Sequence, residues 1–192
     1  MDNSPLPESA PNRLVLADGS RFVGRPFGAP KPVRGEVVFH TGLVGYVEAL
    51  TDPSYRGQIL ALTYPLQGNY GVPSPLDWAA QDPPAAPRFE SDRIQVAGLI
   101  VAQYTPTPSH HAATQSLGAW LASQGVPALS GIDTRALTQR LRQHGTLAGA
   151  LLPPGVDDVT GFAQAPQAAM ADVAHAVQPR QVRIYEGGGP RI

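Results

Sequence analysis

The 192-residue sequence contains no cysteine. This absence excludes disulfide bonds, thiolate zinc sites and a cysteine nucleophile from this chain. Charged residues make up only 15% of the sequence, and the formal net charge is −1. No electrostatic feature therefore points to nucleic acid or an anionic membrane as a partner. The longest apolar run, VAGLIVAQY at residues 96–104, is too short to cross a bilayer.

Residues 1–12 lack both a basic start and an apolar stretch, so they do not resemble a signal peptide. We expect a disordered leader there and a cytoplasmic protein. From Arg13 onward, strand-like and helix-like patterns alternate without a strict βαβ repeat, which predicts a layered α/β domain. Strands are predicted on both sides of the Asp18-Gly19 turn and at 35–42, 58–65, 93–104, 126–131 and 146–152; helices are predicted at 44–51, 116–125 and 132–145.

A proline- and glycine-rich loop is predicted at residues 66–92. A loop of this length in a compact domain is usually functional or part of an interface. Beyond residue 152 the patterns weaken, and GGG at 187–189 is typical of a flexible linker.

The segment TDPSY at residues 51–55 raises the main question of chemistry. Ser54, His40 and Asp52 are the residue types of a catalytic triad. Ser54 does not lie in a G-x-S-x-G elbow, however, and Asp and Ser beside a proline are common turn formers. A serine nucleophile, a turn-capping serine and a substrate-holding serine all remain open at this point.

Other candidate sites are weaker. His110 and His111 are adjacent in sequence with no nearby carboxylate, so exposed loop histidines are a better interpretation than a metal site, and no metal is expected. Arg135, Arg140 and Arg142 lie on the predicted helix at 132–145. They form either a solvated face that complements the helix dipole or a surface for an acidic partner.

Three segments together resemble one family. They are GEVVFHTGLVGYVEALTDPSYRGQILALTYPLQGNYGV at 35–72, ESDRIQVAGLIV at 90–101 and GVPALSGIDTRALTQRLRQHGTLAGAL at 125–151. These segments are similar to the N-terminal domain of the small, glutamine-using subunit of carbamoyl-phosphate synthase. The resemblance implies a three-layer β/β/α swivelling-type domain with mixed sheets at residues 13–152. Residues 153–192 would then be an extension and a Gly-rich linker to an absent amidotransferase domain.

In this family the small subunit hydrolyses glutamine and passes ammonia to a large subunit. The large subunit uses bicarbonate and two ATP to make carbamoyl phosphate for arginine and pyrimidine biosynthesis. The resemblance thus implies a heterodimeric C–N ligase in which ATP and divalent metal bind the large subunit, so no cofactor is expected in this chain. Hydrolysis belongs to a class I amidotransferase domain with a Cys-His-Glu triad. None of that triad is expected here, and the 192-residue chain alone is predicted to be inactive.

The resemblance also implies that Ser54 binds glutamine and that Asp52, Pro53 and Tyr55 support its turn. His40, Val44 and Val47 depart from residues that are often Asn, Thr and Gln in the family. These departures weaken a polar role for the surface that these three residues would form, but they leave the turn at 51–55 intact. The alternatives are a free-standing, non-catalytic domain that binds a large subunit, and a lone serine hydrolase that uses Ser54 and His40.

Overall fold

The computed structural model describes residues 11–74 and 89–154, together with Val177. Most of the predicted leader at 1–12 and of the predicted extension and linker at 153–192 lies outside the described residues. The strands are β1 (Arg13–Leu16), β2 (Arg21–Val23), β3 (Arg25–Gly28), β4 (Val33–His40), β5 (Ile59–Gln67), β6 (Gly98–Tyr104), β7 (Pro127–Ser130) and β8 (Leu147–Leu152). The helices are α1 (Tyr46–Thr51), α2 (Leu117–Ser123) and α3 (Thr134–His144), with a short 3-10 helix at Pro53–Tyr55.

All eight strands belong to one mixed sheet in the order β2-β1-β8-β4-β5-β6-β7-β3. Strands β4 to β7 run parallel at its centre, while β1, β2, β3 and β8 pair antiparallel with their neighbours. Parallel strands need both faces covered, which explains the apolar runs at 37–39 of β4, 59–62 of β5 and 99–101 of β6. The prediction of an α/β domain with mixed strand pairing is confirmed.

The chain joins the two edges of this sheet directly. Strands β2 and β3 lie at opposite ends of the strand order, yet only Gly24 separates them in sequence. A side chain cannot be accommodated at this crossing, because a Cβ on Gly24 would lie 2.7 Å from the Ser130 carbonyl oxygen. The sheet therefore curls so that its two halves face each other.

Two clusters of buried side chains account for the layers. Inside the curled sheet, Leu14 of β1 and Leu151 of β8 share a cluster with Ile100 of β6. Helix α3 adds Leu137 and Leu141 to this interior cluster. On the outer face of β5, β6 and β7, helices α1 and α2 form a second cluster. Across the central strands the order is thus α1 and α2, the sheet, and the interior cluster that β1 and α3 complete.

Most of the predicted elements are present, with two informative differences. Strand β3 was not predicted because Pro26 and Gly28 interrupt its pattern. The strand predicted at 93–104 begins only at Gly98, because the backbone of Gln95 is hydrogen-bonded to Leu50 and Gly57 rather than to a neighbouring strand. The amide of Gln95 donates to the Leu50 carbonyl at 2.8 Å, ahead of the turn at residues 52–55.

Candidate functional site

The TDPSY segment forms a tight turn between α1 and β5. The Asp52 carboxylate accepts a hydrogen bond from the Ser54 amide at 2.8 Å and so caps the 3-10 helix. Pro53 occupies its first turn, where a missing N–H costs nothing. The amides of Tyr55 and Arg56 donate to the carbonyls of Asp52 and Pro53, each at 3.1 Å. Asp52 and Pro53 therefore both belong to the backbone frame of this turn.

The side chain of Ser54 is exposed at the tip of this turn. Its amide, and not its hydroxyl, takes part in the cap. Within the part of the chain that the structure describes, the Ser54 hydroxyl has no hydrogen-bond partner. A hydroxyl can both donate and accept, so this group is free to bond a polar ligand.

Tyr55 anchors the turn to strand β4. Its hydroxyl oxygen lies 3.2 Å from His40 Nδ1, and the two rings meet edge to face with centroids 6.2 Å apart. Burial, and secondarily the negative charge of Asp52, raises the pKa of Tyr55. The phenol therefore stays neutral around pH 7 and remains able to donate a hydrogen bond.

These contacts do not assemble a catalytic triad. Among the described residues, His40 bonds Tyr55 rather than Ser54, and Asp52 bonds a backbone amide rather than an imidazole. A serine nucleophile needs its base within hydrogen-bond reach and a third group that orients the base. The arrangement accordingly disfavours the lone serine hydrolase.

A second segment, residues 90–95, packs against the turn. The Glu90 amide donates to Thr51 Oγ1 at 2.9 Å, and the Ser91 hydroxyl donates to the Thr51 carbonyl at 2.6 Å. Gln95, the last residue of this segment, is buried. Sequence reasoning missed Ser91 and Gln95 as parts of the site. The available signal was a glutamine within the otherwise apolar run IQVAGLIV at 94–101.

Aromatic residues secure the start of α1 on the same side of the sheet. The Tyr70 hydroxyl accepts hydrogen bonds from the amides of Gly45 and Tyr46, both at 3.0 Å, and the rings of Tyr46 and Tyr70 stack 4.0 Å apart. Just before this helix, Leu43 and Val44 are 63% and 73% exposed. These two neighbouring side chains form a small exposed apolar patch beside the turn.

The remaining candidate sites have local explanations. The rings of His110 and His111 lie 4.2 Å apart, and no group of three or more His, Cys, Asp or Glu suited to a metal occurs in the described residues. Arg140 pairs with Asp18 at 2.8 Å, and the Arg142 guanidinium lies 5.4 Å from the Phe39 ring centroid. Within the described ranges, no helix is long and apolar enough to span a membrane.

Comparisons with known proteins identify the family. The family model described as carbamoyl-phosphate synthase small chain, CPSase domain, matches residues 14–151. The chain is 56% identical over 142 residues to multifunctional protein pyr-3 of Neurospora crassa, covering 72% of this chain and 8% of that protein. It is 53% identical over 134 residues to the carbamoyl phosphate synthase arginine-specific small chain of Aspergillus oryzae, covering 69% of this chain and 29% of that protein.

A third relative is the mitochondrial carbamoyl-phosphate synthase [ammonia] of Rattus norvegicus, which is 50% identical over 180 residues. That match covers 92% of this chain and 11% of the relative. The chain thus spans less than a third of each of these three curated relatives. Because the family model matches residues 14–151, well over half of the chain, this chain belongs to the carbamoyl-phosphate synthase small chain family.

Proposed function

We propose that this chain is the part of a glutamine-hydrolysing carbamoyl-phosphate synthase that docks the large subunit and contributes Ser54 to the glutamine site. Hydrolysis of glutamine would occur on a separate amidotransferase domain, and the large subunit would bind ATP and divalent metal. The chain alone would be inactive, because its sequence has no cysteine to serve as the nucleophile. A cytoplasmic location stays a prediction, and the rat relative carries a mitochondrial name.

The observation that carries this proposal is the state of the Ser54 hydroxyl. It is exposed and without a bond to the described residues, on a turn that is held by other groups. A serine needed only for capping would use its own oxygen, as Ser116 does at the start of α2 when it accepts from the Ala119 amide at 3.2 Å. A free hydroxyl on a rigid turn is instead suited to orienting a small polar substrate such as free glutamine.

Kinetics of Ser54→Ala in the complete synthase test the proposal. A hydrogen bond to a charged group contributes about 1.5–3 kcal/mol, so we expect the KM for glutamine to rise roughly ten- to hundredfold. Ammonia-dependent synthesis should continue at its normal rate because it bypasses the glutamine site. Equal loss of both activities, or an unchanged KM, would contradict the substrate-holding role.

The exposed pair Leu43 and Val44 supports a second candidate, a non-catalytic domain that binds a large subunit. The rat relative is named for ammonia, which is consistent with this domain serving without glutamine chemistry. Binding of the chain to a purified large subunit, combined with a Ser54→Ala variant that leaves the glutamine KM unchanged, would favour this candidate. Leu43→Ser with Val44→Ser should then weaken binding.

A further inference from the structure

Gln95 is 6% exposed, and it uses all of its polar groups around one turn. Its amide donates to the Leu50 carbonyl at 2.8 Å, and its carbonyl accepts from the Gly57 amide at 3.0 Å. Its side-chain oxygen accepts from Arg56 Nη1 at 2.8 Å, and its side-chain nitrogen donates to Ser91 Oγ at 2.8 Å. A buried amide with both ends bonded restricts its neighbours, since losing either bond leaves a costly unpaired group.

The partners of Gln95 lie on both sides of the turn that carries Ser54. Leu50 precedes the turn, whereas Arg56 and Gly57 follow it. Ser91 extends the same connection, because its hydroxyl also donates to the Thr51 carbonyl at 2.6 Å. The bonds to Leu50 and Gly57 belong to the Gln95 backbone. Its side chain bonds the exit of the turn directly at Arg56 and reaches the entry at Thr51 through Ser91.

We propose that Gln95 is a positioning residue for the Ser54 hydroxyl, acting through Arg56 and Ser91 without touching substrate. This inference rests on the proposed role of Ser54 in the glutamine site. Asp52 fixes the shape of the turn from within, but among the described residues its carboxylate bonds only the Ser54 amide, so it does not by itself fix where the turn sits on the sheet. Tyr55 ties the turn to β4 through His40, and the Gln95 side chain ties it to residues 90–95. Displacing a positioned group by about 1 Å costs about a hundredfold in the most sensitive cases.

The test uses the complete synthase and measures the KM for glutamine, kcat at saturating glutamine and the melting temperature. We expect Gln95→Ala to raise KM roughly three- to tenfold with little change in kcat, as for a group that acts on binding. Gln95→Glu retains the acceptor for Arg56 and should give a smaller increase. Arg56→Met removes one bond to the Gln95 side chain from a partly exposed position, so it tests the same link if Gln95→Ala fails to fold.

Gln67→Ala is the matched control. Gln67 is also a buried glutamine, 3% exposed, and its side-chain nitrogen donates to the Tyr64 carbonyl at 3.1 Å. Its loss should lower the melting temperature and leave the glutamine KM within about twofold. A similar increase in KM for Gln67→Ala and Gln95→Ala would mean that KM reports general destabilisation, which would overturn the inference.

The double variant Ser54→Ala/Gln95→Ala separates positioning from an independent effect. If Gln95 acts through the Ser54 hydroxyl, the double variant should have the KM of Ser54→Ala alone, because no hydroxyl remains to position. The inference would be overturned if the KM increases of the two single variants multiply in the double variant, or if neither Gln95→Ala nor Arg56→Met changes KM. Either result would leave the role of Ser54 intact. An unchanged KM for Ser54→Ala would instead reject the proposed function, and the inference with it.

Discussion

Arg140 of helix α3 donates a hydrogen bond to the carboxylate of Asp18, in the turn between β1 and β2, with a distance of 2.8 Å. The contact joins residues 122 positions apart in sequence. Burial of Asp18 favours its neutral form, but hydrogen bonds from Ser20 and the nearby Arg140 charge outweigh it, so the pKa of Asp18 is lowered. The folded state therefore prefers an ionised Asp18.

This preference predicts a pH-dependent contribution to stability. Because the pKa of Asp18 is lower in the folded than in the unfolded chain, the stabilisation is present above the ordinary value of 3.8 and is lost as the pH falls through the folded pKa. The Arg140 side chain is 45% exposed, so solvent limits the contribution of the pair to about 1 kcal/mol or less. In thermal unfolding between pH 2 and 7, Asp18→Asn should melt at a lower temperature than the parent protein near pH 7. This difference in melting temperature should disappear as the pH approaches 2. Asp92→Asn, at an exposed position, serves as the control. A difference in melting temperature between Asp18→Asn and the parent protein that persists at pH 2 would contradict the assignment.

The Asp52 carboxylate, rather than the Ser54 hydroxyl, should stabilise the turn. Asp52→Ala removes the acceptor of the Ser54 amide and should lower the free energy of unfolding by about 0.5–2 kcal/mol, the usual cost of losing a cap. Ser54→Ala removes a hydroxyl that bonds none of the described residues, so stability should change by less than about 0.5 kcal/mol. Urea unfolding of both variants checks this, and a larger loss for Ser54→Ala would restore its interpretation as a turn cap.

Tyr70→Phe should destabilise the start of α1. The variant leaves the amides of Gly45 and Tyr46 without their shared acceptor, which costs about 1–3 kcal/mol where water cannot replace it. The ring stack with Tyr46 would remain, so the change isolates the hydroxyl. Tyr64→Phe is the control, because no hydrogen bond from the Tyr64 hydroxyl occurs among the described residues. Equal melting temperatures for the two variants would reject this role of Tyr70.

Gly24→Ala should strain the crossing between the two edges of the sheet. The new Cβ would lie 2.7 Å from the Ser130 carbonyl oxygen and 2.8 Å from Ile132 Cδ1. Overpacking of this kind costs about 1–3 kcal/mol. Adding Ile132→Val removes the second clash and should recover only part of the loss, because the Ser130 oxygen belongs to the backbone. Full recovery of the melting temperature in the double variant would show that Ile132 alone is responsible.

Local patterns predicted most elements because each follows from neighbouring residues. The hairpin at Asp18-Gly19 follows from alternation around a turn dipeptide, and the Gly19 φ of 84° is one that glycine adopts readily. Helix α3 follows from its apolar spacing and from Asp133, whose carboxylate accepts from the Ala136 amide at 2.9 Å. Strand β3 was missed because its pairing with β7 is a tertiary contact that its own residues do not encode strongly.

The alternation of strands and helices, the family and the turn at residues 51–55 could be predicted from the residues alone, because these depend on local backbone preferences and residue identity. The bonds of Gln95 on both sides of this turn, the contact of His40 with Tyr55 instead of Ser54, and the joining of the sheet edges at Gly24 could not be predicted in this way. These contacts join segments that come together only when the sheet curls and removes their apolar faces from water. The physical reason is that burial imposes hydrogen-bond partners on polar groups, and burial is a property of the whole fold.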